Sequence, residues 1–116
     1  MKDFKKLIVW QKGLENFLSI HVFVRKLPAE EKFELASQVR RAAFSIPANI
    51  AEGSAKATNA HYKLFLENAL GSSYEFETAL IAIQELYKQF NSEIGTINNK
   101  NIEVQKMLIS LINKLL

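Results

Sequence analysis

Apolar residues recur at steps of three and four along most of this sequence, which is the spacing of one face of an α-helix. The first stretch shows the pattern at Leu7, Trp10, Leu14, Phe17, Leu18 and Val24. Only four Gly and two Pro interrupt it, so the chain can make few turns. Long helices with short connections satisfy both observations, whereas a sheet with many hairpins would need more turn-forming residues.

The breaks in this pattern fall at Leu27–Pro28, around residues 57–59 and across the Asn-rich, turn-prone stretch 91–101. We therefore predict helices over about residues 7–26, 29–54, 59–90 and 101–116. A length of 116 residues leaves room for one hydrophobic core. The prediction is therefore a single all-α domain that covers residues 1–116.

Two positions inside the predicted helices need an interpretation. Pro47 cannot donate to the carbonyl of Ala43, which typically costs about 3 kcal/mol in a helix interior. The helix either ends and restarts there or continues with a kink, and the helix-compatible residues 48–52 favour a kinked, continuous helix. The Gly71–Ser73 stretch is small but keeps the helical period, so we expect the third helix to run through it.

Composition excludes several classes of protein. The sequence has no Cys, so disulfides, thiolate zinc sites and cysteine nucleophiles are excluded. The apolar run Leu7–Trp10 is too short for a signal-peptide core, and no stretch approaches the roughly 20 apolar residues of a membrane span. We therefore expect a cytoplasmic protein without a membrane partner. The net charge of +3 is modest for a nucleic-acid-binding protein unless one face concentrates it.

The second helix carries an unusual row of polar residues. Steps of three and four place on one helical face Gln38, Arg41, Ser45, Asn49 and Glu52. Apolar neighbours flank the row, which indicates that part of it points inward or into a subunit contact. A buried Arg41 would need a carboxylate partner, which Glu75 of the third helix or Glu52 could supply.

Three interpretations of this row are open. It can be a structural polar network that sets helix register and oligomer geometry, and we favour this interpretation. It can belong to a binding face for phosphates or an acidic partner. The basic candidates for nucleic-acid binding are Arg40, Lys56, Lys63, Lys5 and Lys6, with Arg41 beside them. The row can also be an active site, although it lacks a His within helical reach.

The known catalytic templates do not fit the sequence. Ser45 lacks the strand-to-helix Gly setting of a nucleophile elbow, and neither His21 nor His61 lies near it in sequence. We interpret His21, which lies beside the first apolar stripe, as a packed residue rather than a ligand. No Glu-x-x-His pair of a di-metal bundle and no Gly-rich phosphate loop occurs. We therefore predict no enzymatic activity, no metal or other cofactor and no small-molecule substrate.

The last predicted helix ends in a stretch, residues 107–116, that is apolar on more than one side. A helix that is apolar over most of its circumference must be buried over most of it. One face of so small a domain cannot cover all of that surface. We therefore predict burial against another subunit, which makes the protein a homo-oligomer.

Three stretches also carry a resemblance to a known family. They are Val9–Gln11, Gln38–Gly53 and Ala69–Glu75, in this order over nearly the whole chain. In them the chain resembles the bacterial four-helix-bundle family that includes proteins encoded in intervening sequences of 23S ribosomal RNA genes. The resemblance implies an antiparallel up-and-down four-helix bundle that assembles into a ring-like pentamer.

That family is also similar to the accessory protein of diversity-generating retroelements, a basic pentamer that works with a reverse transcriptase and nucleic acid. The function expected from residues and resemblance together is a non-enzymatic homo-oligomeric scaffold, with itself as the main partner. The alternative is an accessory protein that binds RNA, DNA or a nucleoprotein through a basic oligomer surface.

Overall fold

The computed structural model describes residues 2–115. Its four α-helices are α1 at Ile8–Phe23, α2 at Leu35–Ser54, α3 at Asn59–Leu86 and α4 at Asn91–Lys114. Each helix packs against the next one along the chain, and α4 packs against α1. The protein is therefore an all-α four-helix bundle, and the predicted fold class is confirmed.

Neighbouring helices run in opposite directions, as the ion pairs between α1 and α4 illustrate. Lys12 of α1 pairs with Glu103 of α4. Farther along the chain, just after α1, Lys26 pairs with Glu93, which lies earlier in α4 (2.8 Å between Nζ and Oε1). Both pairs are partly exposed to water, so each contributes little to stability. Because Lys12 precedes Lys26 whereas Glu103 follows Glu93, the two pairs show that α1 and α4 run in opposite directions.

The hydrophobic core receives apolar side chains from all four helices. The largest side chains that are fully or almost fully buried are Val9, Ile20, Phe23, Val39, Ile46, Ile50, Leu66, Phe76, Leu80, Ile83, Ile94 and Leu108. Burial of each such side chain stabilises the fold by about 1.5–3 kcal/mol relative to an exposed position. The core is therefore continuous along the bundle and accounts for the helical spacing of apolar residues in the sequence.

Residues 91–101, which we predicted to be a turn-prone connection, are helical, and α4 begins at Asn91. That prediction was wrong because it weighed the turn tendency of Asn above the apolar spacing. Ile94 and Ile97 are buried and share a helical face with the buried Asn101. Packing of this face outweighs the low helix propensity of the Asn residues. The connection between α3 and α4 is reduced to the short 3-10 turn at Lys88–Phe90.

The start of α2 also differs from the prediction. Residues 29–34, expected to be its first turns, form a 3-10 turn at Ala29–Glu31 and then a tight turn. Glu34 adopts φ −109° and ψ −102°, which lies outside the helical region. Phe33 is 82% exposed, so this segment has no apolar face that a helix would bury against the core.

The predictions that the second helix continues through Pro47 and the third through Gly71 are confirmed. The helix α2 runs through Pro47, and α3 runs through Gly71. Pro47 is buried against α1, where a Cβ built on Gly13 would lie 3.5 Å from the Pro47 Cδ. The kink expected at Pro47 stays a prediction.

The apolar end of α4 is covered mostly by the bundle itself. Leu108 is fully buried, and the partly buried side chains that pack against the core include Met107, Leu111, Ile112 and Leu115. In the described part of this segment, Ile109 is exposed, at 39%. The argument that this helix end requires a second subunit was therefore wrong, because α4 lies deeper between α1 and α3 than its sequence suggested. The homo-oligomer itself stays a prediction.

Substitution of Gly53 by Ala tests the close approach of α2 to α3. A Cβ at this position would lie 2.7 Å from the Phe65 Cβ and 3.2 Å from the Tyr62 Cδ1, so the helices must move apart. We expect Gly53→Ala to lower the free energy of unfolding by about 1–3 kcal/mol. In the matched control Gly95→Ala, the new Cβ meets only a Gln84 side-chain atom at 3.8 Å, so the free energy should rise by roughly 0.5–1 kcal/mol.

Urea denaturation followed by circular dichroism measures both variants. Equal stability of Gly53→Ala and Gly95→Ala would show that the α2–α3 contact tolerates a methyl group and would contradict the prediction.

The hydroxyl of Tyr87, just after α3, donates a hydrogen bond to Glu31 Oε2. This bond, together with burial, raises the pKa of Tyr87 to about 12. Because the folded pKa exceeds the ordinary value near 10, the bond stabilises the fold fully below pH 10. That contribution is lost as the pH rises from about 10 through about 12.

We expect the unfolding free energy of the wild-type protein to fall more steeply across this interval than that of Tyr87→Phe. Denaturant titrations at a series of alkaline pH values measure the two slopes. Identical slopes would mean that the pKa of Tyr87 is the same in the folded and the unfolded protein, which would contradict the prediction.

Candidate interaction surfaces

The predicted polar row lies along the outer ridge of α2. Gln38, Arg41 and Glu52 are exposed, whereas Ser45 and Asn49 are half-buried. Hydrogen bonds involve the middle of the row. The Asn49 Nδ2 donates to the Ser45 carbonyl oxygen (2.8 Å) and to the Ser45 Oγ (3.0 Å).

A further hydrogen bond links the ridge to α3. The Oγ atoms of Ser45 and Ser72 are 2.8 Å apart, so one hydroxyl donates to the other. The predicted row therefore joins the second and third helices through a pair of small hydroxyl side chains rather than through Arg41.

Arg41 and Glu75 come near each other without forming an ion pair. Together with Gln38 and Ser45 they line an open groove between α2 and α3. Both side chains are exposed, and neither takes part in an ion pair within residues 2–115. Glu52 lies eleven residues beyond Arg41, or about 16 Å along the helix. In the single chain Arg41 is solvated and does not need the carboxylate that a buried guanidinium would require.

A buried polar network that the sequence reasoning missed lies between α3 and α4. The Ser73 Oγ donates to the Asn101 Oδ1 at 2.7 Å, and the Asn101 Nδ2 donates back to the Ser73 carbonyl at 3.0 Å. Both residues are fully buried. Next to them, Glu77 accepts hydrogen bonds from the side-chain amides of Gln105 (2.9 Å) and Asn98 (3.4 Å). This network sets the register of α3 against α4, since any shift would leave buried amide groups unpaired.

A second buried amide, Asn16, occupies a core position of α1. Its apolar neighbours on the same helical face are Val9, Ile20 and Phe23. Asn16 is 2% exposed, and no group among the described residues accepts from its Nδ2. It borders a cavity of about 100 Å³ between α1 and α4, whose other lining residues are Lys12, Glu15, Lys100 and Glu103. The cavity is polar and large enough for a water molecule.

The predicted basic residues separate into two locations. At the end of the bundle where α2 stops, the Lys56 ammonium group lies 4.9 Å from the ring centre of Phe65. Lys63 follows on the first turns of α3, and the exposed Lys5 and Lys6 lie in the segment before α1. Backbone bonding places this segment here, since the Lys2 amide donates to the Ser54 carbonyl at 3.0 Å.

Arg40 lies elsewhere. It is fourteen residues before Ser54, which is about 21 Å along α2, and it lines a groove between α1 and α2 together with His21. The structure thus gathers the lysines at one end of the bundle and leaves Arg40 out of that group.

Exposed apolar side chains cluster on the outside of α1 and α2. Phe17 and Phe44 meet edge to face with ring centres 5.2 Å apart, and Phe17 also packs beside His21 at 5.7 Å. Phe44 is 53% exposed, as is Leu18, and Val22 is 56% exposed. We call these five residues the α1–α2 face. Arg40 and Arg41 line the groove that runs past its aromatic rings.

A second cluster lies on α3. Leu64, Tyr74 and Ile81 are about half exposed and are spaced along the outer side of the helix with Glu67 and Glu85. We call these five residues the α3 face. The outer side of α4, in contrast, is polar, with exposed residues Ser92, Asn99, Lys106, Ser110 and Asn113. Single exposed apolar residues are ordinary, but clusters of them indicate contact surfaces.

The candidate catalytic residues do not converge on a cleft. His21 lies on the α1–α2 face, and His61 is exposed at the start of α3. Ser45 is hydrogen-bonded to Ser72 and Asn49. Within residues 2–115, no three His, Asp or Glu side chains are grouped so that they could hold a metal ion. Over the same range, no helix combines the length and apolar content needed to cross a membrane.

Comparison with known proteins identifies the family. Residues 5–110 match the family model described as 23S rRNA-intervening sequence protein. The chain belongs to this family. Among solved structures, this intervening-sequence family member is similar to a protein of unknown function from the S23 ribosomal protein family of Bacteroides thetaiotaomicron. The two share 29% identity and a TM-score of 0.81, over 90% of this chain and 98% of that chain.

No curated protein sequence matches the chain. The family recognised from the sequence is therefore confirmed, and the solved relative supports the same bundle. Neither comparison assigns an activity, because the function of the solved relative is itself unknown.

Substitution of Asn16 by Leu tests the unpaired buried amide in this intervening-sequence protein. We expect Asn16→Leu to raise the free energy of unfolding by about 1 kcal/mol, since it replaces an unsatisfied polar group with an apolar one at a core position. Ser73→Ala is the contrasting variant. It removes the hydroxyl partner of Asn101, so we expect a loss of about 1–3 kcal/mol.

Denaturant unfolding of the two variants gives both values. A destabilised Asn16→Leu would show that the Asn16 amide is satisfied by a group, such as water in the adjoining cavity, that the Leu variant loses.

Proposed function

We propose that this intervening-sequence protein is a non-enzymatic scaffold that works as a homo-oligomer. The observation that carries the proposal is the uneven distribution of exposed apolar side chains. Of the ten large apolar side chains that are exposed among residues 2–115, six lie on the α1–α2 face and the α3 face, whereas Ile109 is the one on α4, whose outside is otherwise polar. A surface of this kind suits a protein that buries two sides against neighbours and leaves the third side in water.

The distribution of titratable groups supports a scaffold over an enzyme. Active sites bring together residues with shifted pKa values. Here the raised pKa values belong to Lys12, hydrogen-bonded to Glu103, to the buried Tyr62 and to Tyr87, hydrogen-bonded to Glu31. These residues lie on α1, at the start of α3 and after the end of α3, respectively. Each shift has a local structural cause, and the three groups share no cleft.

A closed ring is the assembly that we expect, and the resemblance noted from the sequence suggests five copies. Size-exclusion chromatography with light scattering over a range of protein concentrations measures the mass. The expected result is a stable particle of five chain masses. A monomer at micromolar concentration would overturn the proposal.

Phe44→Glu places a charge at the centre of the α1–α2 face. We expect it to raise the apparent dissociation constant of the oligomer about tenfold or more, because burial of an unpaired carboxylate opposes association. Phe33→Glu is the matched control. Phe33 is more exposed than Phe44 but lies outside both faces, so its variant should keep the wild-type mass. A Phe44→Glu oligomer as tight as the wild type would exclude this face from the interface.

Nucleic-acid or nucleoprotein binding is the second candidate function, and one observation favours it. Lys2, Lys5, Lys6, Lys56 and Lys63 lie at the same end of the bundle. The Lys2 ammonium group lies 4.3 Å from the ring centre of Tyr62. Lys2 is therefore beside the first turns of α3, where Lys63 also lies. Repetition around an oligomer would multiply this charge.

Fluorescence anisotropy with a structured RNA and with duplex DNA, at low and high salt, tests this candidate. Binding should weaken steeply with salt, because counterions are released from the phosphates. A variant with Lys5→Gln and Lys6→Gln should bind more weakly with a smaller salt slope, whereas Lys106→Gln on α4 should bind like the wild type. Retention of neither nucleic acid at low salt would end this candidate.

A further inference from the structure

A pocket of about 190 Å³ opens between the end of α1 and the start of α2. Its floor is apolar and includes the buried side chains of Val24, Leu27 and Ala36. The residues that line it include no carboxylate and four basic side chains, namely His21, Arg25, Lys32 and Arg40. We call this cavity the Arg40 pocket. Because the floor is apolar, cations around it attract an anion more strongly than cations on an open surface.

The protein itself does not neutralise the cations of the Arg40 pocket. Within residues 2–115, none of Arg25, Lys32 and Arg40 takes part in an ion pair. Arg40 is also half-buried, and a guanidinium group that loses part of its water needs a partner of opposite charge. The Lys32 ammonium group lies 5.4 Å from the ring centre of the exposed Phe33, which leaves its charge uncompensated. The pocket therefore carries an excess of positive charge.

The carboxylates at this end of the bundle have other partners or lie outside the pocket. Glu93 pairs with Lys26, and Glu31 accepts a hydrogen bond from the Tyr87 hydroxyl. The other acidic residues of the segment before α2 do not line the pocket either, and these are Glu30 and Glu34.

The two helix ends beside the pocket oppose each other in charge. Val24 follows the C-terminal end of α1, which carries partial negative charge, whereas Ala36 lies in the first turn of α2, which carries partial positive charge. The side chains of Arg25, Lys32 and Arg40 therefore decide which ions the pocket attracts.

The charge of the pocket suits a phosphate monoester. Such a group carries about −1.5 to −2 charges at pH 7 and three strong acceptor oxygens, whereas a carboxylate brings a single charge and two oxygens. Arg side chains, of which the pocket has two, bind phosphate oxygens through paired hydrogen bonds.

The size of the pocket also limits its ligand. Sites for whole small molecules measure about 300–1,000 Å³, so 190 Å³ holds the phosphate group and leaves the rest of the ligand outside. The groove walled by Phe17 and Phe44 adjoins the pocket and shares His21 and Arg40 with it. There is consequently room for the organic part of a small ligand next to its phosphate.

From these observations we infer that the Arg40 pocket binds the phosphate group of a small phosphate monoester. The inference goes beyond the proposed scaffold and does not depend on the oligomer. It also concerns a different place from the second candidate function. The lysines of that candidate lie at the other end of the bundle, where α2 stops, and the phosphates of a nucleic acid are diesters with one charge each.

NMR titration tests the inference, because the two His residues of this protein lie at opposite ends of the bundle. His21 lines the pocket, and His61 lies at the start of α3 near Lys63. In phosphate-free buffer at fixed pH and ionic strength, millimolar ribose 5-phosphate should shift the imidazole signals of His21 and leave those of His61 in place. Ribose, which lacks the phosphate, should shift neither.

Variants of the lining residues connect the signal to the pocket. Arg40→Gln should raise the dissociation constant for ribose 5-phosphate about tenfold or more, because charge-assisted hydrogen bonds are lost. Arg25→Gln, at an exposed position, should also weaken binding. Arg41→Gln is the matched control, since Arg41 is the next residue of α2 but does not line the pocket, and it should bind like the wild type. Circular dichroism verifies that all three variants keep the helical content.

Several results would overturn the inference. They are a His21 signal that does not respond to ribose 5-phosphate, a shift of His61 alone, and equal affinities of Arg40→Gln and Arg41→Gln. A response to inorganic phosphate without one to ribose 5-phosphate would also overturn it, since the pocket would then hold a free ion and exclude an ester.

Light scattering with and without ribose 5-phosphate separates this inference from the proposed function. A wild-type monomer that binds ribose 5-phosphate at His21 would remove the scaffold and support the pocket. An assembled wild type that does not bind it would remove the pocket alone.

Discussion

The close packing of α2 against its two neighbours is the constraint on which the rest of the bundle depends. Gly53 lets the backbone of α2 approach Tyr62 and Phe65 at the start of α3. Near the middle of the helix, Ser45 is small enough to share a hydrogen bond with Ser72. On the other side Pro47 is buried against Gly13 of α1. Small residues on α2 thus set the distances at which α1 and α3 can bury their larger apolar side chains.

This packing decides which side of α2 remains available. With its small residues turned to α1 and α3, the helix presents Gln38, Arg41 and Phe44 to the outside. The predicted polar row is therefore mostly a surface feature in the single chain, and its hydrogen bond to α3 comes from Ser45. The buried polar groups that set helix register lie instead on the α3–α4 seam, at Ser73 and Asn101. Helix register therefore depends on the α3–α4 seam, whereas the exposed polar row belongs to α2.

The same arrangement separates a polar side of the molecule from two apolar ones. Because α4 lies between α1 and α3, its apolar end is covered by the core, and its outer side can be polar. Much of the apolar surface that remains belongs to the α1–α2 face and the α3 face. The proposed oligomer follows from this division. The lysines at the end of the bundle lie outside it, so nucleic-acid binding and assembly need not compete for the same residues.

The sequence by itself determined the fold class, the number of helices, the continuity of α2 through Pro47 and the family. These properties follow from local spacing of apolar residues and from a long motif, Gln38–Gly53, which are readable along the chain. Only the tertiary structure decided where polar residues lie. Asn101 falls on the apolar period of α4 but looks like part of a turn in sequence, and Arg41 looks half-buried until its neighbours are placed. Burial of a side chain depends on what packs against it from other helices, and the spacing within one helix does not contain that information.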